Sequence, residues 1–220
     1  MTRFILPAAL VLAVLSLALS PVRAMSGGYE RVPAAQYDPP SDVALETAIF
    51  AGGCFWGVEA VFERVDGVRS AVSGYAGGHV ANPSYKQVTT GRTGHAEAVR
   101  VTFDPDKVSY AQLLQVYFSV IADPTLKNRQ GPDVGPHYRT AFFPIDKRQA
   151  AVARRYIAQL DKAGVYKRPI VTTLEKPGTF WKAEDYHQNY MRKNPRTPYI
   201  LAHDKPKVDA FERLFPALSR

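Results

Sequence analysis

The chain has 220 residues, and its 46% hydrophobic content is sufficient for one ordinary domain with its own core. The formal net charge is +8, but the basic residues are scattered and do not gather with aromatic residues into one stripe, which argues against a nucleic-acid partner. A single cysteine excludes an internal disulfide, and because the five histidines form no ligand pattern with it, we predict no metal site.

The first 24 residues have the composition of a secretory signal peptide. Arg3 precedes an apolar run over residues 4–19, and Ala24 supplies the small residue expected at a cleavage site. The alternative is an uncleaved anchor, but the run is short for a membrane span of about 20 residues. We therefore predict export, cleavage near Ala24, and a mature protein that is periplasmic or secreted and not held in the membrane.

The next segments lead to the only cysteine. Residues 25–44 are rich in Pro, Gly, Ser and Tyr without periodicity, and we predict a tail or a strap across the surface. The short apolar run at 47–51 predicts a buried strand that ends in a tight turn at Gly52-Gly53. Apolar residues then recur at helical spacing, at Phe55, Val58, Phe62 and Val65. Cys54 is therefore expected at a strand-to-helix junction.

The remaining elements alternate between strands and helices. Patterning predicts strands at 68–74, 95–103, 138–143 and 169–174, and helices around 113–120 and 150–160. This alternation predicts one domain, over residues 45–194, in which helices cover a mixed sheet. Residues 195–220 contain a short amphipathic segment, and we predict that they pack on the domain as a C-terminal extension.

The position of Cys54 bears on its chemistry. A lone cysteine in an exported protein is an inert buried residue, a route to intermolecular pairing, or a reactive thiol. The first turn of a helix offers unpaired N–H groups and a partial positive charge, both of which favour a thiolate. We therefore expect a lowered pKa for Cys54 and a nucleophilic role.

Two further side chains point to a pocket around this thiol. Trp56 projects away from the apolar stripe of its predicted helix, which favours an aromatic wall for a soft apolar group; the alternative is packing under a neighbouring loop. Glu97 shares a strand face with Val99 and Val101, so burial would raise its pKa and allow it to donate a proton at neutral pH. The alternative is a glutamate at a strand end that reaches water.

A series of motifs, in order from about residue 47 to 194, resembles the A-type peptide methionine sulfoxide reductases. The motifs are Gly-Cys-Phe-Trp-Gly at 53–57, Gly-Tyr-Ala-Gly-Gly at 74–78, Asn-Pro-Ser-Tyr at 82–85, Gly-Arg-Thr-Gly-His-Ala-Glu at 91–97, Asn-Arg-Gln-Gly-Pro-Asp-Val-Gly at 128–135 and Ala-Glu-Asp-Tyr-His-Gln-Asn-Tyr at 183–190. The resemblance implies an α+β fold, a ferredoxin-like α/β sandwich with a mixed sheet covered by helices and long loops. It also implies repair of methionine S-sulfoxide, whether free or in oxidised peptides and proteins.

The resemblance also implies a role for each matching residue. Cys54 would attack the sulfoxide sulfur and become a sulfenic acid, while Glu97 would protonate the sulfoxide oxygen. The implied substrate-binding residues are Phe55 and Trp56 for the methyl group, Tyr85 and Tyr138 for the oxygen, and Asp133 for the substrate backbone. No bound cofactor is implied, and the enzyme is expected to be a monomer.

The chain departs from many such reductases in having no second cysteine to resolve the sulfenic acid. Thr89 stands where some of them have one. We therefore expect an external thiol reductant, which could be a thioredoxin, a glutaredoxin or a small thiol. Two alternatives use the same lone cysteine differently: a thiol peroxidase, which would not need Trp56 beside the thiol, and a non-enzymatic binding module, which would not need the thiol at all.

Overall fold

A six-stranded sheet forms the centre of the fold in the computed structural model, which describes residues 28–176 and 178–220. The predicted signal peptide lies outside these residues. The strands are β1 (Glu46–Gly52), β2 (Val68–Ala76), β3 (Ala96–Phe103), β4 (Arg129–Gln130), β5 (Asp133–Val134), β6 (Thr140–Phe142), β7 (Thr173–Leu174) and β8 (Trp181–Lys182). The α-helices are α1 (Phe55–Phe62), α2 (Tyr85–Val88), α3 (Tyr110–Val116), α4 (Lys147–Lys162), α5 (Tyr190–Lys193) and α6 (Lys205–Leu214).

The strands lie in the order β7-β6-β1-β3-β2-β8, and β4 and β5 form a separate hairpin. The pairs are antiparallel except β6 with β7, so the sheet is mixed. The four central strands, with α1 between β1 and β2 and α3 between β3 and β6, have the β-α-β-β-α-β connectivity of the ferredoxin-like fold. The predicted α+β class, with a mixed sheet covered by helices, is confirmed.

The two faces of the sheet differ in the size of their side chains. On the helix-covered face, Phe50 stacks on Phe62 at 4.8 Å between ring centroids and on Tyr110 at 5.9 Å. The opposite face carries a smaller cluster that is mostly alanine, with Ile49, Phe143 and the partly buried Phe180. Successive residues of a strand point to opposite faces, which places Glu97 of β3 on the aromatic, helix-covered side.

Polar caps fix where the main helices begin. Ser109 accepts a hydrogen bond from the Gln112 backbone N–H at 3.1 Å, and the Gln112 side chain accepts one from the Ser109 N–H, which forms a capping box for α3. The Asp146 side chain accepts from the Gln149 N–H at 2.6 Å at the start of α4. These caps satisfy backbone donors that the helices themselves leave unpaired.

Both ends of the described chain pack on the helices. The Val32 N–H donates to the Ser119 hydroxyl at 3.1 Å, and the Gln115 side chain donates to the Val32 carbonyl at 2.7 Å. At the other end, α6 packs on α1 and buries Phe211. No helix within the two described ranges has the length and apolar composition that crossing a bilayer requires.

Two predicted strands are shorter than expected. The predicted strand at 138–143 is reduced to β6, because Pro136 begins a 3-10 turn over Pro136–Tyr138. The predicted strand at 169–174 is reduced to β7. The shorter β6 leaves Tyr138 in the connection before the strand, where the side chain is half-buried.

Candidate active site

Cys54 lies in the tight turn between β1 and α1, in the N-cap position of the helix. The residue is 7% exposed, and in the described part of the chain its side chain makes no capping hydrogen bond. The turn depends on Gly53, whose φ of +86° is in the left-handed region that favours glycine. A Cβ at Gly53 would lie 2.6 Å from the Gln130 Cβ, so the hairpin β4-β5 packs directly on this turn.

We expect Gly53→Ala to lower the free energy of unfolding by more than the roughly 1–3 kcal/mol of backbone strain alone. The additional loss comes from Gln130, whose amide is fixed by hydrogen bonds to the Asp123 N–H at 2.9 Å and carbonyl at 2.8 Å. Denaturant unfolding measures both contributions. Gly164→Ala is the matched control, since Gly164 has φ +62° but a Cβ added there would meet nothing within 4 Å. Equal losses in the two variants would contradict the contact.

Glu97 is buried against the first turn of α1. Its side chain is 1% exposed, and Oε2 accepts a hydrogen bond from the Phe55 N–H at 3.0 Å. Glu97 therefore does not reach water. Burial raises the pKa of Glu97 to about 8, with smaller contributions from the Asp133 and Asp204 carboxylates, while the Phe55 N–H opposes the shift. At neutral pH the side chain is mostly a neutral carboxylic acid beside Cys54.

The expected lowering of the Cys54 pKa is wrong for the structure as it stands. Burial raises the pKa of the Cys54 thiol well above its usual value, and the nearby carboxylates of Glu97 and Asp204 raise it further. The Trp56 N–H and the Lys207 ammonium group lower it, but they do not compensate. The sequence argument took the helix terminus as the dominant influence, whereas desolvation is the larger effect at a side chain this buried.

Trp56 is half-buried and held on three sides. Its ring stacks face to face on Tyr190, with centroids 3.7 Å apart and 7° between the planes. Its Nε1–H donates to His187 Nδ1 at 3.1 Å, and Tyr199 meets the ring edge-on at 5.8 Å. Burial lowers the pKa of His187, which keeps this ring neutral and able to accept. Trp56 is thus a fixed aromatic surface next to Cys54 in the chain.

Phe55 is fully buried and reaches the other side of the site. Its ring lies 6.4 Å from Tyr85 and 4.9 Å from His187, measured between centroids. The Ser84 capping box starts α2 at Tyr85, whose N–H donates to Glu184 at 2.8 Å. These contacts fix the backbone from which the Tyr85 hydroxyl projects.

Tyr85 and Tyr138 supply two neutral hydroxyl groups. Burial raises the pKa of Tyr85 to about 12, and the negative charges of Glu97 and Cys54 also raise it. Burial raises the pKa of Tyr138 as well, followed by the charge of Glu97. Both side chains therefore remain protonated hydrogen-bond donors at physiological pH.

Asp133 lies in β5 and accepts a hydrogen bond from the Tyr199 hydroxyl. Tyr199 was not predicted, because it belongs to the C-terminal segment beyond the motifs that carried the resemblance. Three more residues of the site were missed: Asp204, Lys207 and Glu184. Asp204 is fully buried on Gly57 of α1, 3.5 Å from Lys207. Glu184 falls within the motif at 183–190, where no role was assigned to it, whereas only the close approach of distant segments reveals Asp204 and Lys207.

A cavity of about 750 Å³ opens beside Cys54, a volume typical of small-ligand sites. Asp133, Tyr199 and Lys207 line it, together with residues around the π-helical turn Tyr117–Ile121. Of the seven predicted site residues, Cys54 and Asp133 line this cavity, and Phe55, Trp56, Tyr85, Glu97 and Tyr138 do not. Phe55 connects the two groups, because it follows Cys54 in the chain, donates its N–H to Glu97 and packs on the Tyr85 ring. In the part of the chain that the structure describes, no three His, Cys, Asp or Glu side chains form a group that could hold a metal ion.

The sequence is similar to known reductases over most of its length. A family model described as peptide methionine sulfoxide reductase matches residues 46–217. A peptide methionine sulfoxide reductase, MsrA 2 of Mesorhizobium japonicum, is 57% identical over 173 residues, covering 79% of this chain and 89% of that protein. MsrA of Deinococcus radiodurans is 54% identical over 165 residues, covering 75% of this chain and 80% of that protein.

Solved structures show the same likeness in the fold. Methionine sulfoxide reductase A of Corynebacterium diphtheriae superposes with a TM-score of 0.60 at 33% identity, covering 80% of this chain and 91% of that chain. Reduced Mxr1 from Saccharomyces cerevisiae gives a TM-score of 0.60 at 31% identity, covering 74% of this chain and 92% of that chain. The likeness in sequence therefore extends to the three-dimensional fold.

Proposed function

Because the chain belongs to the A-type peptide methionine sulfoxide reductases, which reduce methionine S-sulfoxide to methionine and are recycled by thiols, we propose that Cys54 is the nucleophile and Glu97 the proton donor. One observation carries this assignment more than any other. A buried carboxylic acid with a pKa of about 8 accepts from the backbone N–H of Phe55, the residue next to the only thiol. A sulfoxide oxygen is a poor leaving group, so a proton donor at this position is what the reaction requires.

The first step transfers oxygen from the substrate sulfur to Cys54. The Cys54 thiol loses its proton to solvent, and the thiolate forms a bond to the sulfoxide sulfur while Glu97 protonates the sulfoxide oxygen. The hydroxyl group then moves from the substrate sulfur to the Cys54 sulfur: the substrate S–O bond and the new S–S bond break, an S–O bond forms on Cys54, and methionine leaves with Cys54 as a sulfenic acid. Methionine sulfur gains two electrons and Cys54 loses two, and Glu97 is left as a carboxylate that regains its proton from solvent.

The raised pKa values of the two groups fit this order of events. The carboxylate of Glu97 is one of the charges that raise the pKa of Cys54, so a protonated Glu97 removes that repulsion from the thiolate. The two groups are therefore coupled, and the reactive pair is a neutral acid with a thiolate. The Trp56 N–H and the Lys207 ammonium group stabilise that thiolate.

The remaining residues hold the substrate. Trp56 and Phe55 form the apolar surface for the methyl group, since both are fixed by aromatic neighbours. The neutral hydroxyls of Tyr85 and Tyr138 donate to the sulfoxide oxygen. Asp133, fixed by Tyr199, orients the peptide backbone of the substrate.

Recycling and location complete the proposal. An external thiol attacks the sulfenic acid, water leaves, and a second thiol releases the mixed disulfide to restore Cys54. The lone cysteine supports this route, because the chain has no second thiol of its own. We place the enzyme outside the cytoplasm on the basis of the leader-like first 24 residues, and we leave thioredoxin, glutaredoxin and small thiols as candidate donors.

The purified enzyme should reduce the S epimer of a methionine sulfoxide peptide and leave the R epimer unchanged, because the methyl and oxygen sites fix the handedness at sulfur. Separated epimers, assayed with each candidate thiol donor, test activity, stereochemistry and recycling together. Hydrogen peroxide with the same donors is the control substrate. Peroxide turnover without sulfoxide turnover would favour a thiol peroxidase and reject the proposal.

A further inference from the structure

Glu59 is a buried carboxylate that the proposed chemistry does not use. It lies on α1, one turn after Trp56, with a side chain that is 1% exposed. Its Oε2 accepts a hydrogen bond from the Asn189 backbone N–H at 2.8 Å, whereas Oε1 has no hydrogen-bond partner among the residues that the structure describes. Within the described ranges, no ion pair compensates its charge. Burying a carboxylate without an ion pair costs free energy of folding, so we expect Glu59 to make an interaction that the protein requires.

Asn189 lies within the segment that holds Trp56. Its φ of +56° is in the left-handed region, and α5 starts at the next residue, Tyr190. Tyr190 forms the stack on the Trp56 ring, and His187, two residues before Asn189, accepts from Trp56 Nε1. Two of the three contacts that hold the indole therefore belong to residues 187–190, which we call the clasp, and the third is the edge-on contact with Tyr199.

Two side chains attach the clasp to the rest of the domain. Gln188 exchanges hydrogen bonds with the Ser73 backbone of β2, at 3.1 Å and 3.0 Å. Glu59 makes the attachment to α1, the helix that carries Trp56 itself. The Gln188 hydrogen bonds attach the clasp to the sheet, whereas the Glu59 hydrogen bond sets the position of the clasp along the axis of α1. This position determines where the Tyr190 ring contacts the indole of Trp56.

We propose that Glu59 is a positioning residue, which sets the plane of the Trp56 ring by holding the clasp at Asn189. The link between Glu59 and Trp56 stands on geometry alone. Its consequence for catalysis rests on the proposed function, in which Trp56 binds the methyl group of the substrate. Loss of the link would weaken substrate binding while leaving the chemistry at Cys54 unchanged.

The surroundings of Glu59 also predict when the link weakens. Burial raises the pKa of Glu59 to about 7, and Glu63, the C-cap residue of α1, raises it further, while the Asn189 N–H and the nearby Ser73 lower it. Burial raises the pKa of Glu63 itself, and the positive charges of Arg192, Arg64 and Arg220 oppose that increase. A protonated carboxyl accepts a weaker hydrogen bond than a carboxylate does, so the clasp should loosen as the pH falls through 7.

Fluorescence of Trp56 tests the link directly. The chain has two tryptophans, and Trp181→Phe leaves Trp56 as the only tryptophan, whose emission is excited selectively at wavelengths that tyrosine does not absorb. In that background we expect Glu59→Ala to shift the emission to longer wavelength and to increase quenching by acrylamide. Glu59→Gln keeps an acceptor, so it should retain the emission but lose the change around pH 7. Glu63→Ala, at the C-cap of α1 and without the clasp contact, is the matched control; well above pH 7, where Glu59 is ionised in both variants, it should keep the emission of the background variant.

Kinetics separate this inference from the proposed function. Glu59→Ala should raise KM roughly tenfold and change kcat by less than about twofold, and Glu59→Gln should restore KM. Unchanged Trp56 emission in Glu59→Ala would overturn the inference. Shifted emission with unchanged KM would instead uphold the link and contradict the methyl-binding role of Trp56. If Glu59→Ala does not fold, Tyr190→Ala replaces it, and the Trp56 emission of this variant should also shift to longer wavelength. An unshifted emission in Tyr190→Ala would show that the clasp does not orient the indole.

Discussion

Cys54→Ser is expected to abolish sulfoxide reduction, with a loss of at least about a thousandfold, because a serine hydroxyl is a far weaker nucleophile toward sulfur. The fold should be retained or slightly stabilised. Cys54 occupies the N-cap of α1 without making a side-chain hydrogen bond, whereas serine is a preferred N-cap residue. We therefore expect the free energy of unfolding to stay the same or to rise by up to about 1 kcal/mol. Turnover and denaturant unfolding, measured on the same preparation, check both statements.

Cys54→Ala provides the control for the capping effect. It should be equally inactive but should gain no stability, because alanine offers no acceptor to the helix N-terminus. Residual turnover above about one part in a hundred in either variant would mean that another group attacks the substrate, since no second thiol exists in the sequence. A biological effect that survived Cys54→Ser would favour the non-enzymatic binding module.

Glu97→Gln is expected to slow reduction by about a hundredfold or more, since general acid catalysis contributes about that much. The pH profile should change with it. Because the pKa of Cys54 lies above that of Glu97, wild-type turnover should rise with pH up to about 8 and level off there, where loss of the Glu97 proton offsets formation of the thiolate. In Glu97→Gln the levelling near pH 8 should be absent, and turnover should continue to rise as the Cys54 thiolate forms. Steady-state rates from about pH 5 to about pH 10 test the assignment, and the same levelling near pH 8 in the variant would refute it.

The same substitution has a consequence for stability. The folded-state pKa of Glu97 lies above its unfolded value, so its contribution is fully present below the unfolded pKa and is lost as the pH rises through about 8. Glutamine cannot ionise and should avoid this loss. The variant should therefore gain stability relative to the wild type between about pH 5 and about pH 9, as measured by denaturant unfolding. Parallel curves would show that Glu97 is not buried as described.

The sequence predicted the surroundings of a site residue correctly where those surroundings depend on the local pattern of the chain. Alternation along β3 predicted that Glu97 shares a face with Val99 and Val101, because a strand places every second residue on one face, and the structure decides between burial and contact with water in favour of burial. The glycine pair before Cys54 predicted the tight turn, and Gly53 adopts the expected left-handed backbone. The ferredoxin-like connectivity followed from the resemblance. The sequence pattern could therefore predict the environment of a residue within one strand or helix, or at the junction between two consecutive elements.

The rest of the site depends on contacts between distant segments. Tyr199 and Asp204 come from the C-terminal segment, and no periodicity relates them to Asp133 or Gly57, on which they pack. The raised pKa of Cys54 could not be anticipated for the same reason. The helix terminus is visible in the sequence, whereas the burial of the thiol and the nearby carboxylates appear only in the folded chain.

A single turnover without any thiol donor tests most directly whether Cys54 takes the oxygen. Reduced enzyme is mixed with excess methionine S-sulfoxide peptide, the methionine produced is counted, and sulfenic acid is trapped with dimedone and located by mass spectrometry. We predict a burst of one methionine per chain with one dimedone adduct, at Cys54, and no burst in Cys54→Ser. Methionine formed beyond one per chain, or without an adduct at Cys54, would contradict attack by this sulfur.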